Sequence, residues 1–350
     1  MLLYIHIPYC DSKCHYCSFN SYTGRFDTKR DYMKALERQF DYEIERFSPE
    51  KSSIESLFIG GGTPSTIESG LYEPLFAKLS PYLRDDAEIT AEANPNSATQ
   101  EWIEGMAALG VNRMSFGVQS FRSQKLKFLN RAHSPQDAIK AVERAARAGL
   151  GRISIDLIYN CAGDDEEGML HDIEEAFRLP ISHISAYELS IESGTVFSSG
   201  EGYAQRNDAL ARFVAKEIEE RGFAQYEISN FGDPSIHNRG YWMLKEYIGL
   251  GAGAVGFGKY RRYYPHSDIE RYIANPSDTR IETLGEEDIR TEKIFLGLRS
   301  DIGVQRSVLD LAMSERADIL TAEGKLYEKE GILYNPDLFI ADEIALYLLG

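Results

Sequence analysis

Short apolar runs alternate with amphipathic stretches over the first two thirds of the chain. The runs at 2–7, 56–59, 88–92, 113–118, 152–159 and 183–191 have the length and composition of buried strands. Helical periodicity lies between them. Met33, Leu36, Phe40, Ile44 and Phe47 fall on one stripe, and the segment 134–149 opens on the capping residue Ser134 and closes at Gly149. Six strand–helix units predict an α/β fold with a parallel sheet, either a whole or partial (β/α)6 TIM-like barrel or an open doubly wound sheet.

The polar positions favour a barrel with its site on one rim, because chemistry in parallel α/β folds gathers at the carboxyl ends of strands. Gly60, Gly61, Gly62 and Thr63 follow the second run, and Glu92 and Asn94 end the third. Gln119 ends the fourth, Asp156 lies on the fifth, and Tyr187 and Glu188 lie on the sixth. Taken singly, each has an ordinary structural explanation: a turn glycine, a solvated strand end or a helix cap. Repetition over five strands argues for one shared cavity.

After about residue 280 the pattern changes to two helical stretches and a hairpin. The expected organisation is a barrel at 1–232, a connecting segment at 233–282 and a small helical, winged-helix-like domain at 283–350. Winged helices often read DNA. Here the segment 284–350 holds fourteen acids against seven bases, and the whole chain carries a formal charge of −17. That balance disfavours nucleic acid and points to a docking or lid domain. No stretch reaches the length of a membrane span. The opening MLLYIHIPYC lacks a basic leader, and the chain has only four cysteines. A cytoplasmic protein without a disulfide scaffold is expected.

Three of those cysteines, Cys10, Cys14 and Cys17, lie in the run YIHIPYCDSKCHYCSF. Thiolates so spaced can bend around a soft metal centre, and three ligands on a four-iron cluster leave one iron open. The alternatives are a zinc site, which normally takes a fourth protein ligand, and a disulfide with one thiol left over.

CDSKCHYC resembles the CxxxCxxC motif of radical S-adenosylmethionine (SAM) enzymes, and GGGTPS resembles their glycine-rich segment. The resemblance implies a [4Fe–4S] cluster on Cys10, Cys14 and Cys17, with SAM on the open iron. It also implies an electron donor for reductive cleavage of SAM to a 5′-deoxyadenosyl radical. YIHIPYC, FIGGGTPS, RMSFGVQSF, LNRAHS, DLIY, SAYELSIESGT and YEISNF together resemble the coproporphyrinogen III dehydrogenase-like branch over nearly the whole chain. Carried over, Tyr4 and Tyr16 flank the cofactor, Gly61, Gly62 and Thr63 contact it through the backbone, and Glu92 holds its polar groups. Gln119, Arg131 and Asp156 match positions that bind a second SAM in the dehydrogenase.

Two departures point within that branch to its heme chaperones. The dehydrogenase has an extra cysteine where this chain has Phe19, and it has a longer lead than the nine residues before Cys10. The segment HNRGYW, from His237 to Trp242, is similar to an HNxxYW motif associated with heme binding. The resemblance thus implies heme, held through His237 and passed to a heme-requiring acceptor protein such as a respiratory enzyme. The competing expectation is oxidative decarboxylation of coproporphyrinogen III propionates. Judged from the residues, Tyr241 and Trp242 could pack on a porphyrin face, or His237 could be an ordinary loop histidine and Trp242 a core anchor. Lys259, Arg261 and Arg262 could meet propionates or form a solvated turn. Cys161, in DLIYNCAG where the family has DLIYGLPG, is either a fourth cluster ligand or a small buried apolar group.

Overall fold

The structure is a computed structural model that describes all 350 residues. Six parallel strands form its centre in sequential order: β1 (Leu2–Ile7), β2 (Ile54–Gly61), β3 (Leu83–Ala93), β4 (Arg113–Gln119), β5 (Arg152–Tyr159) and β6 (His183–Glu188). The crossovers carry α1 (Lys29–Phe47), α2 (Glu73–Leu79), α3 (Gln100–Ala108), α4 (Ser123–Phe128), α5 (Pro135–Arg147) and α6 (Glu166–Phe177). α7 (Asp208–Glu220) follows β6. This is the partial (β/α)6 barrel that the alternation predicted. Ser134 and Asp137 close a capping box at the start of α5, and Gly149 takes a positive φ of 85° after its end.

Period-two alternation sorts the strand side chains into two faces. Leu3, Ile5 and Ile7 of β1, with Leu57 and Ile59 of β2 and Ile153 and Ile155 of β5, enter one large core with the helices. The opposite face is polar. Glu88, Thr90 and Glu92 alternate along β3, Ser154 and Asp156 along β5, and His183 and Ser185 along β6. A parallel sheet covered by helices on one side thus turns a polar side inward, which is how a site comes to lie inside the barrel.

The sheet continues past both edges of the barrel. β7 (Gln225–Glu227) and β8 (Asn230–Gly232) add antiparallel beyond β6. The segment read as a connector instead supplies α8 (Ile236–Trp242), α9 (Ile269–Ala274) and four strands. These are β9 (Tyr247–Leu250), β10 (Gly256–Gly258), β11 (Arg261–Pro265) and β12 (Thr279–Thr283). β9 pairs parallel to β1, and β10 to β12 follow antiparallel, giving twelve strands in one sheet. The basic turn lies here: Arg262 pairs with Glu292, while Lys259 and Arg261 are exposed at the β10–β11 hairpin.

The remaining elements are α10 (Glu286–Leu298), β13 (Val304–Gln305), α11 (Leu311–Ala322), β14 (Tyr327–Lys329), β15 (Ile332–Tyr334) and α12 (Ala341–Leu349). They have their own core around Ile294, Leu298, Ala317, Leu333 and Ala345. Backbone bonds from Ile228 to Arg299 (2.9 Å) and from Asp301 to Tyr226 (2.8 Å) dock this unit on the barrel, helped by a two-pronged Arg212–Asp337 pair. No helix is long and apolar enough to cross a membrane.

The amino-terminal end of the barrel is closed by α8. Glu88, wholly buried, accepts from the N–H groups of Ile236 and His237 (both 3.1 Å), from Ser235 Oγ (3.0 Å) and from Arg152 Nη1 (2.9 Å). One carboxylate therefore caps the helix and pairs with an arginine, and removing it strands several donors in the interior. Glu88→Ala is expected to lower the unfolding free energy by about 3 kcal/mol in urea titration. Arg84→Ala, which breaks an exposed pair, is expected to change it by less than about 0.5 kcal/mol. Equal effects would show that Glu88 has no special structural role.

Candidate functional site

The cysteine loop leaves β1 at the carboxyl end of the sheet and is fastened on several sides. Cys10 N–H donates to Tyr22 O (3.1 Å), and Tyr22 N–H donates to Pro8 O (2.7 Å). Farther out, His15 N–H donates to Leu129 O (3.2 Å), and His15 O accepts from Phe197 N–H (3.1 Å). Asn130 Nδ2 holds Lys13 O at 2.9 Å. All four cysteines are free. Cys10, Cys14 and Cys17 face one cavity of about 370 Å³, whereas Cys161 is buried among Leu129, Ile158, Leu189 and Phe197. Cys161 thus fills the small apolar role.

The glycine segment after β2 forms the adjacent wall. Gly62 N–H donates to Ile7 O at 2.8 Å, and a Cβ there would stand 2.8 Å from Tyr9 O. Gly61 has φ +109°, and a Cβ would fall 2.5 Å from the His6 ring. Only glycine lets these two backbones approach so closely. Thr63 then turns its hydroxyl to Cys10 Sγ (3.4 Å) and accepts from Asn94 Nδ2 (2.9 Å).

Arg131 joins three strand ends. Its Nη1 donates to Cys14 Sγ (3.1 Å), and its Nη2 donates to Asn94 Oδ1 and Gly117 O (both 2.6 Å). Its Nε is buried without a partner, as is Oε1 of Gln119, a residue held at φ +67°. Gly117 makes room: a Cβ there would lie 3.0 Å from Arg131 Nη2. Sequence inspection passed over Gly117 and Ser115, although a glycine inside the strand FGVQ signals close approach of another group.

Two half-buried acids line the same cavity. Burial, with the neighbouring Asp156 charge, pushes Glu92 up to about 8, against a single hydrogen bond from Gly61 N–H (3.2 Å). Burial also raises Asp156 to about 6, opposed by Ser185, Arg113, Arg131 and Ser115. Burial pushes the Cys10 and Cys17 thiols up as well, and the Thr63 hydroxyl works against it at Cys10. The pocket therefore holds protons that a cationic ligand or a metal centre would displace.

Eleven of the expected residues meet at this cavity: Cys10, Cys14, Cys17, Tyr16, Gly61, Gly62, Thr63, Glu92, Gln119, Arg131 and Asp156. Two do not. Tyr4 points into the barrel below the cavity, with its hydroxyl 2.9 Å from His6 Nδ1. His237 lies at the opposite end of the barrel and is 1% exposed. Its Nδ1 bonds Ser56 Oγ (2.8 Å) and its Nε2 bonds Tyr241 OH (2.9 Å). Burial, then the Arg113 charge, holds its pKa down to about 3. With both nitrogens engaged and no surface exposed, the imidazole has no lone pair to offer iron. In this arrangement His237 fixes α8 to β2, and the expected heme ligation would require its imidazole to give up one of these bonds and become exposed. From Ser56 to Gly61 the strand runs about 16 Å, so this end is also remote from the cysteines.

Residues 4–176 match the Radical SAM superfamily, the class that such a barrel and cysteine loop define. Heme chaperone HemW of Bacillus subtilis is 34% identical over 93% of this chain and 97% of its own length. HemW of Escherichia coli is 37% identical over 73% of this chain and 69% of its own length. The fold also superposes on coproporphyrinogen III oxidase (HemN) from Escherichia coli with a TM-score of 0.82 at 18% identity, covering 99% of this chain and 89% of that one. The chain belongs to the HemW family of radical SAM proteins.

That family implies a [4Fe–4S] cluster and SAM. The residues present fit them. Three free thiols face one cavity, two of them already receiving hydrogen-bond donors, and the wall beside them carries unpartnered buried polar atoms. No set of His, Cys, Asp and Glu side chains gathers tightly enough to hold a single metal ion.

The raised Glu92 pKa makes a prediction for the ligand-free protein. A carboxyl shifted upward by folding favours the protonated native state, so its contribution is full at low pH and is lost as pH rises through about 8. Between pH 6 and pH 9 the wild type is expected to lose ~3 kcal/mol of stability through this group, and Glu92→Gln is expected to flatten that slope. Parallel stability–pH curves for the two proteins would show that Glu92 is already ionised at pH 6.

Proposed function

We propose that this protein carries heme to a heme-requiring acceptor protein, using a radical SAM core. The observation that supports this best is its likeness to a heme chaperone along 97% of that protein's length. Phe19, in place of the dehydrogenase's additional cysteine, agrees with it. In this proposal the cytoplasm is the site of action, a respiratory enzyme is the kind of acceptor served, and a separate electron donor reduces the cluster.

Cys10, Cys14 and Cys17 would hold the cluster, which supplies the electron for reductive cleavage of SAM. Arg131 and Thr63 donate hydrogen bonds to two of the cysteine sulfurs and would hold them in place as cluster ligands. Gly61, Gly62, Thr63 and Tyr16 would position SAM next to the cysteine loop, with Glu92 and Asp156 offering negative charge to a cationic ligand. A ligand with an ammonium and a sulfonium would draw the proton off Glu92, so binding near neutral pH would release protons. Gln119 Oε1 and Arg131 Nε, both buried and unpartnered, add a hydrogen-bond acceptor and a donor on the same wall. Tyr4 would act through His6 and the floor of the barrel.

Anaerobic reconstitution tests both parts. Iron and sulfide are expected to load onto the wild type and to fall to background in Cys14→Ala. The loaded protein is expected to retain hemin through gel filtration and to leave coproporphyrinogen III unconverted in the presence of SAM and reductant. Formation of protoporphyrinogen would overturn the carrier proposal in favour of oxidative decarboxylation.

A further inference from the structure

One cation inside the barrel has no partner in the protein. Arg113 opens β4 on the inward face, two residues and about 7 Å below Ser115, which lines the cavity. It is 3% exposed, yet its guanidinium makes no hydrogen bond, and no carboxylate oxygen comes within 4.0 Å of it. The other arginines turned inward are committed: Arg152 to Glu88, Arg122 to Asp164 and Asp172, and Arg131 to Cys14, Asn94 and Gly117. We propose that Arg113 is a positioning residue for the cavity, its charge beneath the floor holding Asp156 as an anion toward a cationic cofactor. The inference rests on the reading that SAM lies beside Glu92 and Asp156.

The charge of Arg113 acts, beside burial, on groups from five elements: Glu92 on β3, Asp156 on β5, His183 on β6, Tyr226 on β7 and His237 on α8. A cation felt on all these sides stands in the middle of the barrel, between the cavity and the closed end. A buried guanidinium is costly unless negative charge shares its surroundings. Glu88, the acid of the closed end, is already taken by Arg152 and α8. Glu92 and Asp156 are left to balance it.

Asp156 takes the larger share. The hydroxyls of Ser115 (3.4 Å) and Ser185 stand beside it, with Arg131 as a second cation, while Glu92, Tyr16 and Tyr187 face it without positive charge. Glu92 has only the Gly61 N–H. The two acids therefore divide the work: at pH 7 Asp156, raised by burial to about 6, is mostly charged, and Glu92, raised to about 8, mostly keeps its proton. Because no directed bond fixes the guanidinium, Arg113 acts through its charge. A lysine can then replace it, whereas an uncharged side chain of similar length cannot.

Arg113→Lys and Arg113→Met, compared per folded protein by thermal melting, separate charge from shape. SAM binding to the cluster-loaded full chain is measured by calorimetry at pH 7 and pH 9, in buffers of different ionisation heat. Without the Arg113 charge Asp156 rises toward the Glu92 value of about 8, so roughly one molecule in ten is ionised there at pH 7. Arg113→Met is expected to bind SAM about tenfold more weakly at pH 7, to release about one additional proton on binding, and to lose this deficit by pH 9. Arg113→Lys is expected to match the wild type in all three respects. The ligand-free proteins give a second readout. A raised carboxyl favours the protonated native state, so its contribution is full at low pH and is lost as pH rises through the folded value. In the wild type that loss ends near pH 6 for Asp156. In Arg113→Met it is expected to run on to about pH 8, the unfolding constant rising up to about tenfold more per pH unit than in the wild type. Wild-type pH dependence in folded Arg113→Met, or an Arg113→Lys that behaves like Arg113→Met, overturns the proposal. Should Arg113→Met not fold, Arg113→Lys decides alone: wild-type behaviour supports the proposal, and loss of fold or of SAM affinity overturns it. A wild type that binds no SAM overturns the cofactor reading, and the ligand-free curves then decide for Arg113.

Discussion

The parallel pairing of β1 with β2 is the constraint on which the site depends. Their register sets Ile7 opposite Gly61, and Gly62 N–H continues the ladder by bonding Ile7 O. The two chains therefore leave the sheet side by side, one as the cysteine loop and the other as the glycine segment. That closeness is possible because neither Gly61 nor Gly62 carries a Cβ; either would strike His6 or the backbone of Tyr9. The third, fourth and fifth strands then add Glu92, Gln119 and Asp156 to the same cavity. A metal-binding loop and a backbone surface that receives a small molecule become neighbours because two strands are neighbours.

The two ends of the barrel bury similar chemical groups and treat them differently. At the closed end Glu88 has four donors and His237 has both ring nitrogens engaged. At the open end Glu92 has one backbone donor, while Gln119 Oε1 and Arg131 Nε have no partner. Buried polar groups are normally satisfied, and one left unsatisfied costs on the order of 1–3 kcal/mol. The satisfied set holds the fold together. Gln119 Oε1 and Arg131 Nε line the cavity, where a bound ligand could supply their missing hydrogen bonds, whereas the other unpartnered buried atoms, Trp242 Nε1 at the closed end among them, lie away from it. The Glu92→Gln experiment addresses this difference, since the substitution removes an acid that has a single protein hydrogen-bond donor.

Much of this was legible in the sequence. β1 and β5 begin and end where hydrophobic alternation placed them, because one face of each is wholly apolar and the other is mixed. The start of β3 was hidden, since Leu83–Asp86 are largely exposed and polar and carry no periodic signal. The sixth strand stops at Glu188 because the residues beyond it turn out to the rim, where Ile191 is half-buried at most. Strands β7 to β12 are only three to five residues long, too short to distinguish from turns. The cavity residues could be found because glycines, acids and amides recur at successive strand ends. The place of His237 could not, because it is decided by Ser56, 181 residues away in sequence. Local motif chemistry cannot show whether an imidazole has spare lone pairs, and that depends on tertiary contacts.

The central claim is that three thiols hold a four-iron cluster with one iron left open toward the glycine wall. Mössbauer spectroscopy of iron-57-reconstituted protein, recorded without and with SAM, tests it most directly. One iron of the four should show parameters distinct from the rest, and those parameters should shift when SAM is added. Four irons that remain equivalent and unchanged by SAM would mean a fourth protein ligand closes the cluster, and would contradict the account.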